Sequence, residues 1–263
     1  MSLKKFYQGK KVFVTGHTGF KGAWLCLILK KFGAEVTGYS LEPYDRRGNL
    51  FNLATVEEGL HSIYGDIRDA EKLTTKFMAA EPNIVFHLAA QPFVRASYAD
   101  PVYNYDTNLM GTVNIMEAVR KTDSVRTIIN ITTDKCYENK EWCWPYREND
   151  HLGGHDPYSA SKACSEIITA SYRKSFLSQS VGVATARAGN VIGGGDFGED
   201  RIIPDIVESL QENQPVILRS PEAIRPWQHV FDVLNGYMIL GKKCYSEPEK
   251  YSVAYNFSPP SAI

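Results

Sequence analysis

The stretch VFVTGHTGFKGAWL, Val12–Leu25, leaves one apolar run and enters another through Gly16, Gly19 and Gly22, spaced three apart. Before it, KKVFVTG has the short valine- and phenylalanine-rich composition of a strand. After it, FKGAWLCLILKKFG sets Phe20, Ala23, Trp24, Leu27 and Ile28 near helical spacing. That run closes on two lysines and Gly33, the chemistry of a helix C-terminus. AEVTGYS then resumes a strand, so the order predicts a β-α-β unit with glycines at its first turn. At such a turn the backbone can approach a ligand closely, and the N–H groups that open the helix suit a pyrophosphate. A glycine turn with no ligand is the alternative. The strand before and the helix after favour a dinucleotide site.

Outward from this unit the alternation continues. AEKLTTKFMAA reads as a helix, NIVFHLAA as a buried strand, and Asp100–Lys121 as one long helical segment. VRTIINITT is a strand, PYSASKACSEIITASYRKSF a helix opened by proline, and VGVATARAGNVIG a strand running into a glycine-rich loop. Repeated β-α order predicts an α/β fold, a Rossmann-type doubly wound parallel sheet with helices on both faces. Regularity falls after about Asn190, where Gly, Pro and Arg become frequent. The expected division is a dinucleotide-binding domain over 1–189 carrying the catalytic residues, and a smaller substrate-binding lobe over 190–263.

The chain has 263 residues, 43% apolar and 22% charged, with a net charge of −1. That balance gives no electrostatic footprint for nucleic acid or an anionic membrane. No apolar run is long enough to span a bilayer, and MSLKKFYQGKK lacks the apolar core of a signal peptide, so a cytoplasmic location is expected. The five cysteines (Cys26, Cys136, Cys143, Cys164 and Cys244) form no CxxC pair, which points to no zinc site or redox couple, and no metal is expected.

Two segments suggest catalysis. In DPYSASK, Tyr158 and Lys162 stand four apart at the start of a helix and share one face. A tyrosine near pKa ~10 is a poor base at neutral pH, but a nearby lysine and an oxidised nicotinamide both stabilise its phenolate. An ordinary surface Tyr-x-x-x-Lys pair is the alternative. In INITTDKCY, a buried strand delivers Thr132, Thr133, Asp134 and Lys135 to its C-terminal end, the edge where ligands sit in open parallel sheets. A hydroxyl, an acid and an amine there supply a hydrogen-bond donor, a proton donor and a base. A solvated Asp–Lys pair at a strand-end turn is the competing reading.

The motifs VTGHTGFKGAWL, GDIRD, HLAAQPFVRAS, TNLMGTVN, TTDKCY, PYSASK, RAGNVIGGGD and IRPWQHVFDV occur in this order. Together they resemble the extended short-chain dehydrogenase/reductase family, in particular its nucleotide-sugar 4,6-dehydratases and among them the CDP-glucose branch. The resemblance implies that Gly16, Thr18, Gly19, Phe20, Lys21 and Gly22 hold the cofactor pyrophosphate and that Asp66 and Ile67 flank its adenine. It further implies that Leu88, Ala89, Ala90, Gln91, Asn108 and Thr132 lie along the cofactor. It gives Thr133, Tyr158 and Lys162 as the catalytic triad and Asn190, Arg201 and Arg225 as substrate-binding residues. Ser40 stands where many relatives carry a ribose-binding acid, with Glu42 and the pair Arg46–Arg47 nearby, so NAD is expected and NADP stays open. The implied reaction oxidises C4 of CDP-glucose, eliminates water across C5 and C6 with Asp134 as acid and Lys135 as base, and returns the hydride to C6. A homodimer through the Asp100–Lys121 and Tyr158–Phe176 helices, or a homotetramer, is implied as well.

The Asp134–Lys135 pair also occurs in UDP-N-acetylglucosamine 4,6-dehydratases, which stand as the alternative. A 4-epimerase would share the tyrosine and lysine without a use for that pair, and a non-catalytic NAD(P)-binding regulator could share the fold. The chain stops at YNFSPPSAI, short of the usual C-terminal lobe, so a fragment is one reading of it. His17 is either a modulator of cofactor affinity or a solvent-facing turn residue. Trp142 and Trp144 read as loop packing rather than as a lid.

Overall fold

The computed structural model describes residues 1–44, 48–177, 180–218 and 221–259. Its strands are β1 (Lys11–Thr15), β2 (Glu35–Ser40), β3 (His61–Tyr64), β4 (Ile84–His87), β5 (Thr127–Ile131), β6 (Gly182–Ala188), β7 (Val191–Ile192), β8 (Gln228–His229) and β9 (Ala254–Phe257). Its helices are α1 (Leu3–Tyr7), α2 (Phe20–Lys31), α3 (Leu50–Leu53), α4 (Ala70–Ala80), α5 (Val94–Ala99), α6 (Pro101–Tyr105), α7 (Gly111–Arg120), α8 (Pro157–Ser175), α9 (Ile202–Gln211), α10 (Val230–Ser246) and α11 (Pro248–Tyr251).

Seven strands form one sheet in the order β3-β2-β1-β4-β5-β6-β9, and every neighbouring pair is parallel. The order reverses direction between β1 and β4, which opens a crevice at their C-terminal ends. The central strands are buried on both faces, and successive residues serve opposite layers. Val12, Val14, Phe86 and Ile129 pack with Leu25, Leu29, Leu234 and Tyr237 from α2 and α10. Phe13, Val85 and Ile128 pack with Leu73, Phe77, Ile115 and Val119 from α4 and α7. Each such side chain taken out of water contributes about 1.5–3 kcal/mol, the term that holds the helices on the sheet.

Two expectations are corrected. Residues 190–263 do not form one lobe. β9 pairs with β6 in register Thr185↔Ala254 to Ala188↔Phe257, and α10 lies against β5 and β6. Among the described residues of 190–263, the stretch between β7 and β8, with α9, adds no strand to the seven-stranded sheet. The single helix over Asp100–Lys121 is also interrupted: α6 and α7 are joined by a π-helical turn, Asp106–Met110. A π turn inserts one extra residue per turn and turns side chains away from regular register, and such turns favour functional sites.

Candidate active site

The β1–α2 turn is shaped by its glycines. Gly16 has φ +73°, and a Cβ on it would sit 2.8 Å from Ala89 N. On Gly22 a Cβ would fall 2.1 Å from Gly16 O, so α2 packs against the turn through bare backbone. Gly19 caps α2 without a side-chain hydrogen bond, and a Cβ there would meet only Gly16 O at 3.4 Å. The opening N–H groups of α2 thus face a cavity of about 530 Å³ lined by Gly16, Thr18, Gly19, Phe20, Lys21, Gly22, Ser40, Glu42, Asp66, Ile67 and Leu88 to Gln91. This cradle fits a dinucleotide: donors at the pyrophosphate position, glycines where bulk would intrude, and polar groups along its length.

Within that cavity several groups are already engaged. Thr18 Oγ1 donates to Leu41 O at 3.1 Å and lies 2.9 Å from Ser40 Oγ. Asp66 accepts a forked pair of bonds from Arg68 at 2.7–3.1 Å, which holds its carboxyl below the usual range. Arg46 and Arg47 lie outside the described residues. Asn108, on the π turn, lines neither cavity. Its Oδ1 accepts from Gln91 N at 2.8 Å, and its Nδ2 donates to Gln91 O at 3.1 Å and Ser161 Oγ at 2.9 Å. It braces the end of β4 against α8.

A second cavity, of about 580 Å³, adjoins the first and shares Phe20, Lys21, Phe93 and Arg201 with it. Thr132, Thr133, Asp134, Lys135, Tyr158, Asn190 and Arg225 all line it. Local chemistry places Tyr158: Asp156 caps α8 by accepting from Ser159 N at 2.9 Å, and Pro157 takes the first helical position. Burial pushes the Tyr158 hydroxyl up to about 12, and a hydrogen bond with Thr133 acts the other way. Lys162 lines neither cavity. It lies behind them with Nζ donating to Ile131 O at 3.1 Å, and burial lowers it to about 8. Burial thus acts on Tyr158 against the lowering that was expected.

Thr133 Oγ1 donates to Asp134 Oδ1 at 3.1 Å. Burial raises the Asp134 carboxyl, against the pull of Thr133, Lys135 and Arg225. Lys135 stands exposed on the rim. The Thr132 hydroxyl is donated to Glu166. Asn190 O accepts from Gln228 N at 2.9 Å. Arg201 pairs with Asp196 at 2.7 Å, with its guanidinium 5.5 Å from the Phe93 ring centre. Arg225 is exposed and donates to Ile224 O at 2.7 Å.

Two side chains depart from expectation. Lys21, expected beside the pyrophosphate, lies 5.9 Å over the Tyr237 ring, and burial, then Lys162 and Arg201, lower it to about 7. Its amine therefore reaches the catalytic side. His17 is not solvent-facing: it is fully buried with Nε2 2.7 Å from Ser62 Oγ. Trp142 packs on Tyr146 at 5.3 Å, Trp144 is exposed, and neither lines a cavity.

A glycine cradle at the sheet's switch point, joined to a Tyr-x-x-x-Lys helix and a Thr-Asp-Lys strand end, defines a short-chain dehydrogenase/reductase. Residues 13–257 match the family model described as GDP-mannose 4,6 dehydratase, and the chain belongs to that family of nucleotide-sugar 4,6-dehydratases. It is 50% identical over 262 residues to a CDP-glucose 4,6-dehydratase of Salmonella typhimurium, covering 97% of this chain and 73% of that one. A dTDP-D-glucose 4,6-dehydratase of Dictyostelium discoideum is 28% identical over 89% of this chain and 56% of its own length. Among solved structures, the dTDP-glucose 4,6-dehydratase DesIV of Streptomyces venezuelae, with NAD and TYD bound, superposes with TM-score 0.80 at 25% identity, covering 93% of this chain and 74% of that chain.

Proposed function

We propose that this chain converts CDP-glucose to CDP-4-keto-6-deoxyglucose with NAD as its cofactor. The observation that carries the reading is the Asp134–Lys135 pair beside Tyr158 in a cavity that adjoins the glycine cradle. The 50% identity to the Salmonella enzyme over nearly the whole chain supports the choice of CDP-glucose. NAD, bound in the cradle at Gly16–Gly22, supplies hydride acceptance and return at the sugar.

The chain supplies proton placement. Tyr158 takes the proton of the sugar 4-hydroxyl, helped by the Thr133 hydrogen bond and the Lys162 cation behind it. The 4-keto group acidifies the C5 hydrogen, and Lys135 removes it. Asp134, whose buried carboxyl holds its proton more firmly than usual, protonates the departing C6 hydroxyl. Asn190, Arg201 and Arg225, together with the stretch between β7 and β8, hold the sugar nucleotide, the two guanidinium groups suiting its diphosphate.

The test offers CDP-, dTDP-, GDP- and UDP-glucose and UDP-N-acetylglucosamine with NAD, followed by alkali. A near-ultraviolet chromophore from CDP-glucose in marked preference supports the reading. A 4-epimer without chromophore, or preference for UDP-N-acetylglucosamine, overturns it. We also propose a homodimer, or a homotetramer built from it, through α6–α8, where Val102, Tyr105, Met110 and Ile167 lie exposed. Sedimentation of Val102→Glu should then give a smaller species than the parent. The five free cysteines accord with work in the reducing cytoplasm.

A further inference from the structure

Behind the Thr133–Tyr158 cluster lies a buried ion pair. Glu166 Oε2 and Arg187 Nη2 are 2.8 Å apart, and the two side chains are 3% and 4% exposed. Glu166 sits on α8 one turn beyond Lys162 and two beyond Tyr158, so all three share a helix face. That spacing was a signal available in the sequence. Oε2 also accepts from Thr185 Oγ1 at 2.7 Å, and Oε1 accepts from the Thr132 hydroxyl. Thr132 directly precedes Thr133, at the end of β5. Arg187, on β6, donates as well to Tyr137 Oη at 2.7 Å and to Glu148 O at 2.9 Å. The pair thus ties the catalytic strand end to β6, α8 and the 137–148 segment.

Stability alone is a weak reason for such a pair. Removing two charges from water is expensive, and apolar replacements of equal volume are often as stable. What an apolar pair cannot supply is a negative charge one helical turn from Lys162. We propose that Glu166 is a positioning residue for the proton step. Its carboxylate, held by Arg187, keeps Lys162 cationic and fixes the Thr132–Thr133 strand end through the Thr132 hydroxyl. The inference rests on the reading of Tyr158 and Lys162 given above.

The surroundings of Lys162 leave Glu166 as the charge that matters. Burial lowers Lys162, while Glu166 and then Cys136 raise it. Cys136, in the turn after β5, is itself pushed to about 12 by burial and carries no charge at neutral pH. His87 on β4 is lowered to about 3 by burial and is neutral as well. Tyr158, on α8, is raised to about 12. Lys21, from α2, adds positive field that disfavours the Lys162 cation. Around Glu166 itself stand Arg187 and, further off, Arg173. Asp134 lies on the cavity side.

Glu166→Gln keeps the shape and removes the charge. Lys162 is followed by NMR in protein labelled with ¹³C-lysine, with its resonance assigned through Lys162→Arg. The expected result is a titration midpoint lowered by about one pH unit or more. The alkaline limb of C4 oxidation should move down with it. Should the unpaired Arg187 prevent folding, the double variant Glu166→Gln/Arg187→Met removes both charges and is expected to lower the midpoint too. An unmoved midpoint in whichever variant folds overturns the proposal, as does a uniform loss of rate without a change in the pH profile. Failure of both variants to fold would assign the pair to folding and equally overturn it. A lowered midpoint in a protein that never oxidises CDP-glucose would refute the proposed reaction and leave the Glu166–Lys162 coupling standing.

Discussion

Replacing Gly38 with alanine would put a methyl group where the His17 ring already lies. A Cβ at Gly38 would be 2.3 Å from both His17 Cγ and Cδ2, far inside ordinary contact at 3.4–4 Å. Neither side can yield easily. Gly38 is in β2, paired with Val14 of β1 and Ser62 of β3. The imidazole is confined by Phe51 at 5.2 Å and Tyr64 at 6.4 Å and is hydrogen-bonded to Ser62. Overpacking of this kind costs about 1–3 kcal/mol, and losing the His17–Ser62 bond adds about 0.5–1.5. Gly38→Ala should therefore destabilise by roughly 2–4 kcal/mol. Urea unfolding followed by tryptophan fluorescence and circular dichroism measures it. The decisive comparison is the same change in a His17→Ala background. With the ring gone, the methyl has room, and Gly38→Ala should be neutral or stabilising by about 0.4–1 kcal/mol. An equal loss in both backgrounds would show that His17 is not the obstacle and would refute the packing argument.

The other expectations concern charge and chemistry. Burial lowers His17 from 6.5 to about 4, so its neutral form imposes no penalty above pH 6.5, and stability is lost as pH falls from there toward 4. Between pH 7 and 4 the parent should lose on the order of 3 kcal/mol more than His17→Gln in paired urea titrations. Tyr158→Phe should slow C4 oxidation by about 10²–10⁴-fold with NAD binding unchanged by calorimetry; a loss below about tenfold would exclude it as the base. Gly19→Val projects a branched side chain from the open cap of α2 into the cradle, and calorimetry should show NAD affinity sharply reduced. Lys135→Met should still oxidise C4, yet place no solvent deuterium at C5 and release no 6-deoxy product. Product at near-parent rate would reassign the C5 base.

What could be read from the residues was whatever local spacing controls. The glycine turn sits between a valine–phenylalanine strand and a helix of regular period, so β1, α2 and their cradle were visible at once. Asp156, Pro157, Tyr158 and Lys162 announce both a helix start and a shared face. The misses trace to contacts between distant parts of the chain. α10 carries Gly236 and Gly241 in its interior. In the fold a Cβ on Gly236 would lie 2.4 Å from Phe257 Cε1, and one on Gly241 would lie 2.8 Å from Tyr7 Oη. Those glycines let β9 and α1 approach α10, and no local pattern reports that. β3 is four residues long, with exposed ends and no alternation of burial, too little signal for a strand. Asn108 is aimed at Gln91 by a π turn, and the Thr132 hydroxyl at Glu166 by the packing of α8, both tertiary outcomes.

The short pairing of β7 with β8 acts as a clasp. Val191 lies beside Gln228 and Ile192 beside His229, and Gln228 N reaches back to Asn190 O at 2.9 Å. The chain leaves the sheet body and re-enters it through one gate, immediately followed by α10, for which His229 provides the cap. Once such a gate is closed, lengthening the segment beyond it is inexpensive: doubling a loop costs only about 0.6 kcal/mol in closure entropy. The stretch between the two short strands is thus a cassette. Its described residues wall both cavities, with Asp196, Glu199 and Arg201 facing the two at once, so a change confined to this stretch would leave the strands and the Tyr158 helix in place while altering what faces the cradle and the cavity beside it. The strand end that carries Thr133 and Asp134 lies on the other side of that gate, so the walls can vary while it stays fixed.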